Sequence, residues 1–161
     1  MPPLYNRFME SQQHKEVCIL VIICGKKILL ESIQHKHGYE ILSVPGAPKD
    51  AISQRITGIL GKEYVGAEKP FGSFTDLIIK PDGDVELVGN VFRIEMREGS
   101  EITIPKVFGW YTKEEIEADP RCRRDRRFYL RLLESKPLSL KYSEDQLGEW
   151  IDAKILSWDE S

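Results

Sequence analysis

The stretch 39–61, YEILSVPGAPKDAISQRITGILG, decides how this chain folds. Tyr39 to Val44 is short and apolar enough to read as a strand. Pro45-Gly46-Ala47-Pro48 stops it, because two prolines and a glycine in four residues make a rigid turn. The segment from Asp50 to Leu60 then predicts a helix. Asp50 is the candidate N-cap, and Ile52, Ile56, Ile59 and Leu60 fall at i, i+4, i+7 and i+8, one apolar stripe. Gly61 supplies the C-cap. Gly58 inside that helix costs about 1 kcal/mol relative to alanine, and close packing against a strand is the expected reason for it.

Upstream, Glu16 to Cys24 is β-branched and continuously apolar, as a strand buried on both faces should be. Gly25-Lys26 turns the chain into a second strand, Lys27 to Gln34. Downstream, Phe71 to Lys80 and Val85 to Met96 form a long hairpin through Pro81-Asp82-Gly83-Asp84. Glu101 to Ile104 and Val107 to Tyr111 read as further strands. Thr112-Lys113-Glu114-Glu115 is a capping box for a short helix that ends before Pro120. A longer helix is expected over Arg123 to Ser135, with Phe128, Leu132 and Leu133 inward, and a last one over Ser143 to Trp150. Strands of mixed direction with helices between them predict an α+β sandwich.

Composition narrows the class. Of 161 residues 41% are hydrophobic and 30% charged, a globular balance that excludes a disordered or collagen-like chain. The longest apolar run, Val17 to Cys24, falls far short of the roughly 20 residues of a membrane span, so no membrane partner is expected. The N-terminus has no apolar h-region. Cys18, Cys24 and Cys122 form no Cys-x-x-Cys, which argues against a disulfide framework or a zinc knuckle. A reduced cytoplasmic protein is the expectation. The net charge of −3 hides an asymmetry. Residues 121–131 hold six arginines and one aspartate, while residues 143–161 hold six acids and one lysine, so the two segments attract each other.

The order of elements resembles the Nudix hydrolase superfamily. The markers are Val44-Pro45-Gly46, the striped helix closed by Gly61, and the aromatic strand running into a capped helix, Phe108-Gly109-Trp110-Tyr111-Thr112-Lys113-Glu114-Glu115-Ile116. The resemblance covers about Glu16 to Leu133. It implies a Nudix-like α/β/α sandwich with a mixed β-sheet, a single domain over 1–161 with extensions at 1–15 and 136–161. Nudix enzymes cut a diphosphate linked to a nucleoside, using magnesium held by glutamates of that helix. The arrangement suits a hard cation, because carboxylates three and four residues apart stack on one helix face. The metal neutralises phosphate charge and activates water.

The chemistry markers have been replaced. The family's helix carries Arg-Glu-x-x-Glu-Glu-x-Gly. With Gly61 matched to its final glycine, the arginine becomes Gln54, the next glutamate Arg55, and the adjacent pair Gly58 and Ile59. Ala47 replaces the second glycine after the proline, and the loop ahead of the helix is shortened by about seven residues relative to the resemblance. No metal ligand is assigned on this helix. The leading expectation is therefore a domain inactive or weakly active as a hydrolase that binds a nucleotide or other phosphate-bearing ligand. Lys49 and Arg55 would meet phosphates and Trp110 would stack on a ring.

A second reading is a metal-dependent nucleoside-diphosphate hydrolase whose magnesium or manganese is held by acids outside the motif. Asp50, Glu63 and Glu86 are its candidate catalytic residues, although helix capping, loop exposure and strand position each supply a sufficient structural reason. A third is a scaffold binding RNA or a protein. On a continuous helix Arg123, Arg127 and Arg131 would form one row at i, i+4 and i+8, suited to phosphates. His35 and His37 lack a third ligand nearby, Gly61-Lys62 is no phosphate loop, and no Ser-His-Asp spacing stands out.

Overall fold

A computed structural model describes residues 14–34, 38–100 and 102–157. His35, His37 and the N-terminal extension up to residue 13 lie outside the described residues. The strands are β1 (His14–Cys24), β2 (Lys27–Gln34), β3 (Glu40–Ser43), β4 (Gly46–Pro48), β5 (Lys69–Ile79), β6 (Val85–Met96), β7 (Phe108–Tyr111), β8 (Leu138–Asp145) and β9 (Trp150–Ser157). The helices are α1 (Ile52–Leu60), α2 (Lys113–Ala118) and α3 (Arg126–Leu132). The strands join in one mixed sheet in the order β3-β2-β1-β6-β5-β8-β9, with β4 added on β1 and β7 on β2. β1 runs parallel to β6 and β5 parallel to β8, while the other pairs are antiparallel.

The apolar run of β1 serves two cores, as its lack of alternation foretells. Leu20, Ile22 and Cys24 face Ile56, Ile59 and Leu60 of α1. Val21 and Ile23 belong to the opposite core, with Ile116 of α2 and Phe128, Tyr129 and Leu132 of α3. The result is an α/β/α sandwich. Gly89 is required where β6 meets β1, since a Cβ there would lie 1.7 Å from the Val17 carbonyl oxygen. Near its hairpin end β1 pairs with β2, and near its start with β4, so its edge is split between two short ladders. α1 ends at Gly61, which takes φ +105°.

Several expectations need correction. A 3-10 turn (Lys49–Ala51) precedes α1, and Asp50 makes no capping hydrogen bond. Gly58 is exposed, with nothing within 4 Å of the place a Cβ would take, so packing is not what holds a glycine there. Residues 102–104 form no strand, although Ile102 and Ile104 still pack toward α1. The long helix from Arg123 is instead a 3-10 turn (Pro120–Cys122) followed by α3, which leaves Arg123 ahead of the helix. Ser143 to Trp150 is not helical. It is the β8–β9 hairpin, because Asp145 Oδ1 accepts from the Leu147 and Glu149 amides and Gly148 takes φ +83°. That polar turn breaks the pattern that reads as a helix, and the C-terminal extension becomes two strands of the main sheet.

Candidate functional site

On α1 the three positions to which the resemblance would assign carboxylates, 55, 58 and 59, carry other chemistry, as does Gln54 in the arginine's place. Gln54 and Gly58 are exposed, and Ile59 is 4% exposed within the α1 core. Arg55 Nη2 donates to Glu31 Oε1 at 2.8 Å, its Nε donates to the Gly46 carbonyl at 3.2 Å, and its guanidinium lies 5.5 Å from the Phe108 ring centroid. A divalent metal needs converging oxygen donors, and this helix offers a cation, a hydrocarbon and a bare backbone in their place. Its residues do not fit a metal ion.

The other candidates are scattered. Asp50 is exposed in the 3-10 turn before α1. Glu63 is exposed in the turn after α1, its carboxylate folded against Gly61. Glu86 is half-buried on β6, opposite Leu77 of β5. Among the described residues no group of three or more His, Cys, Asp or Glu side chains is placed to hold a metal ion. Lys49 pairs with Glu16 at 3.3 Å, both side chains largely exposed. Trp110 packs against the α1 core, and its buried indole N–H has no hydrogen-bond partner among the described residues.

The structure divides the arginines. Arg127 Nη2 donates to the Ala153 carbonyl at 2.9 Å. Arg131 donates to the Lys136 and Pro137 carbonyls at 2.8 and 3.2 Å and pairs with Glu134 at 3.7 Å. Arg123 borders a separate depression with Tyr39, Arg121, Arg124, Glu149 and Trp150. The three do not make one row. A wider groove of about 910 Å³ beside α3 is lined by charges of both signs, Arg127 and Arg131 among them. The attraction between the arginine segment and the acidic C-terminal region does materialise, through Arg124 and Glu144 at 3.7 Å.

A cleft of about 370 Å³ opens beside β4. Residues 17–19 of β1 and 46–48 of β4 form one side, and Phe74, Asp76, Leu87 and Tyr142 from β5, β6 and β8 form the other. Its volume falls within the roughly 300–1,000 Å³ typical of small-ligand pockets. Asp76 is only 8% exposed, a rare state for a carboxylate. The Tyr142 hydroxyl is buried without a hydrogen-bond partner among the described residues. Burial raises its pKa well above the ordinary tyrosine value, with the negative charges of Asp125 and Asp76 adding to it. The phenol therefore stays a donor.

Tyr142 is held in place from behind. Its ring stacks on Trp150 at 4.6 Å between centroids, and the Arg124 guanidinium covers the Trp150 ring at 3.9 Å. Asp125 accepts from Trp150 Nε1 at 3.0 Å, Arg124 Nη1 at 2.8 Å and the Tyr129 hydroxyl at 3.2 Å. Burial raises the Asp125 pKa despite the Arg124 charge beside it. Sequence reasoning missed both polar residues of the cleft. Asp76 did leave a signal, an acid two residues after Phe74 on the same strand face as a core aromatic. Tyr142 left none, since it falls in the C-terminal extension, where the sequence predicts no strand.

No family model matches the chain, and no curated protein sequence does. Solved structures do match. The MutT protein from Bacillus halodurans aligns with a TM-score of 0.59 at 17% identity, over 88% of this chain and 97% of that one. A Nudix-family hydrolase from Clostridium perfringens aligns with a TM-score of 0.40 at 17% identity, over 75% and 97%. An Ap4A hydrolase from C. elegans aligns with a TM-score of 0.47 at 14% identity, over 76% and 96%. The first of these carries the conclusion about architecture: the chain has the Nudix fold, an α+β sandwich around a mixed sheet. Among the described residues no helix is long and apolar enough to cross a membrane.

Proposed function

We propose that this Nudix-fold chain is a binding domain, inactive or weakly active as a diphosphate hydrolase. Its ligand is a nucleotide or another phosphate-bearing molecule seated in the cleft beside β4. The observation that carries this reading is the pair of polar residues lining a cleft of ligand size: Asp76, which is buried, and Tyr142, whose buried hydroxyl has no hydrogen-bond partner among the described residues. Phe74 and Leu87 supply apolar wall between the strands that bear them. A flat heteroaromatic ring with a donor for Asp76 and an acceptor for Tyr142 matches that combination. Gly46 borders the cleft and its carbonyl accepts from Arg55, so the guanidinium is tied to one wall residue, and phosphates attached to such a ring would have to reach past Gly46 to meet it. Lys49 follows Pro48 on the same side. The metal-dependent alternative draws no support from Asp50, Glu63 and Glu86, which sit on separate elements.

Two assays test the reading. In a phosphate-release assay on nucleoside diphosphate derivatives, folded protein should show little or no turnover with magnesium, manganese or chelator. Fast turnover abolished by chelator would overturn it. In a binding titration with ADP, Asp76→Asn and Tyr142→Phe should each weaken affinity by about fivefold or more, the loss expected when a buried polar contact goes unmatched. Unchanged affinity in both variants would remove the cleft from the site.

A further inference from the structure

The contacts of Arg55 describe what occupies the region that the α1 residues make unfit for a metal. Its Nη2 reaches the Glu31 carboxylate at 2.8 Å and its Nε the Gly46 carbonyl at 3.2 Å. A carboxylate and a main-chain carbonyl converging on one point are hard oxygen donors, the kind a divalent cation collects. Here a guanidinium collects them. We infer that Arg55 is the built-in cation of the cleft, so that a phosphate-bearing ligand is held without a divalent metal and Glu31 competes internally for the same guanidinium. This rests on the proposed ligand class.

Three observations support it. First, Gly46 is shared, since its carbonyl accepts from Arg55 and its residue forms part of the cleft wall. The charge is thereby tied to one residue of the cleft wall, Arg55 itself lying outside that wall. Second, the Arg55 side chain keeps 32% of its surface exposed and has N–H donors beyond the two in these contacts, so a phosphate oxygen can approach it. Third, the Glu31 side chain is only 19% exposed and so is held against the arginine. Phosphate and carboxylate compete for the same planar fork, and each prefers two parallel N–H donors. An incoming phosphate must therefore share or displace Glu31. A carboxylate present only to neutralise Arg55 would predict no effect of its removal on ligand affinity.

The test is calorimetric titration of the full chain with ADP and, separately, with inorganic pyrophosphate, in EDTA and in magnesium. Wild-type affinity should agree within about twofold between the two buffers, as expected when no metal joins the complex. Arg55→Ala should weaken both ligands by about tenfold, the scale of one charge-assisted contact. Arg55→Lys should recover only part of that loss, because lysine has no fork. Glu31→Gln should tighten binding by about threefold by removing the competitor. Magnesium tightening the wild type by about tenfold or more would overturn the inference. So would unchanged affinity in Glu31→Gln, a variant that stays informative if Arg55→Ala does not fold. Metal-dependent binding that is still lost in Asp76→Asn would overturn this inference alone. Failure of the wild type to bind either ligand in either buffer would overturn the proposed ligand class and this inference with it.

Discussion

Replacing Gly58 with alanine tests the account of α1 most directly. The residue lies in the second half of a nine-residue helix, is exposed, and takes no positive φ. An alanine Cβ would meet nothing within 4 Å, so the substitution brings no clash and creates no new burial. What remains is the backbone entropy that glycine loses on entering a helix. Alanine is better by about 0.8–1.0 kcal/mol in an exposed helix interior. For a chain of this size, 1 kcal/mol moves the melting temperature by about 2–4 °C. Thermal melts by circular dichroism, checked by urea titration, should show Gly58→Ala more stable with an unchanged denaturant slope. A lower melting temperature would refute the reasoning, because it would mean that something covers this helix face and needs the missing side chain. The companion Gly58→Glu should also fold, and should still bind no magnesium measurable by calorimetry. One carboxylate beside Arg55 and Ile59 does not make a coordination sphere.

Two further outcomes follow from the fold. Gly89→Ala should destabilise the protein severely or prevent folding, since its Cβ would stand 1.7 Å from a backbone oxygen on β1; a native-like melt would contradict the parallel β1–β6 pairing. Asp119 accepts from Arg121 at 2.8 Å, and that pair holds its pKa below the ordinary value of 3.8. The resulting stability is present above the ordinary aspartate range and is lost as pH falls through the lower native pKa. The stability gap between wild type and Asp119→Asn should therefore close on acidification, and a gap that widens in acid would show that another group dominates.

Much of the architecture was legible because local signals agreed. The β1 run, the turn at 45–48, the stripe of α1 and the Thr112 capping box each have one reading, and the capping box forms with both of its hydrogen bonds. Three features were not legible, for different reasons. Asp50 looks like a cap, but Pro48 and the short β4 start a 3-10 turn that moves the α1 N-terminus to Ala51. Residues 143–150 carry helix-compatible composition, yet one side chain, Asp145, ties three residues of turn together and pairs two strands. The arginine row assumed a continuous helix from Arg123. The 3-10 turn at Pro120–Cys122 breaks that geometry before electrostatics matters. Most of the cleft was beyond sequence reasoning, because its walls come from five strands joined by four pairings, two of them parallel and distant in sequence, β1–β6 and β5–β8.

Residues 55, 58 and 59 of α1 are better understood as a set than one at a time. Ile59 adds to the core, so a carboxylate placed there would be buried beside Ile56 and Leu60 at a desolvation cost. Arg55 requires Glu31, and removing the arginine alone would leave a carboxylate that is 19% exposed without its partner. Gly58 requires nothing. Placing glutamates at Arg55, Gly58 and Ile59 would therefore strain the fold at two of the three before any metal could bind. That ordering is measurable: Ile59→Glu should lower the melting temperature strongly, Arg55→Glu should lower it less because its side chain is partly exposed beside Glu31, and Gly58→Glu should leave it within a few degrees of wild type. If Ile59→Glu proved as stable as Gly58→Glu, the residue would not be part of the core, and the case that packing makes this face of α1 unfit for carboxylates would fail with it.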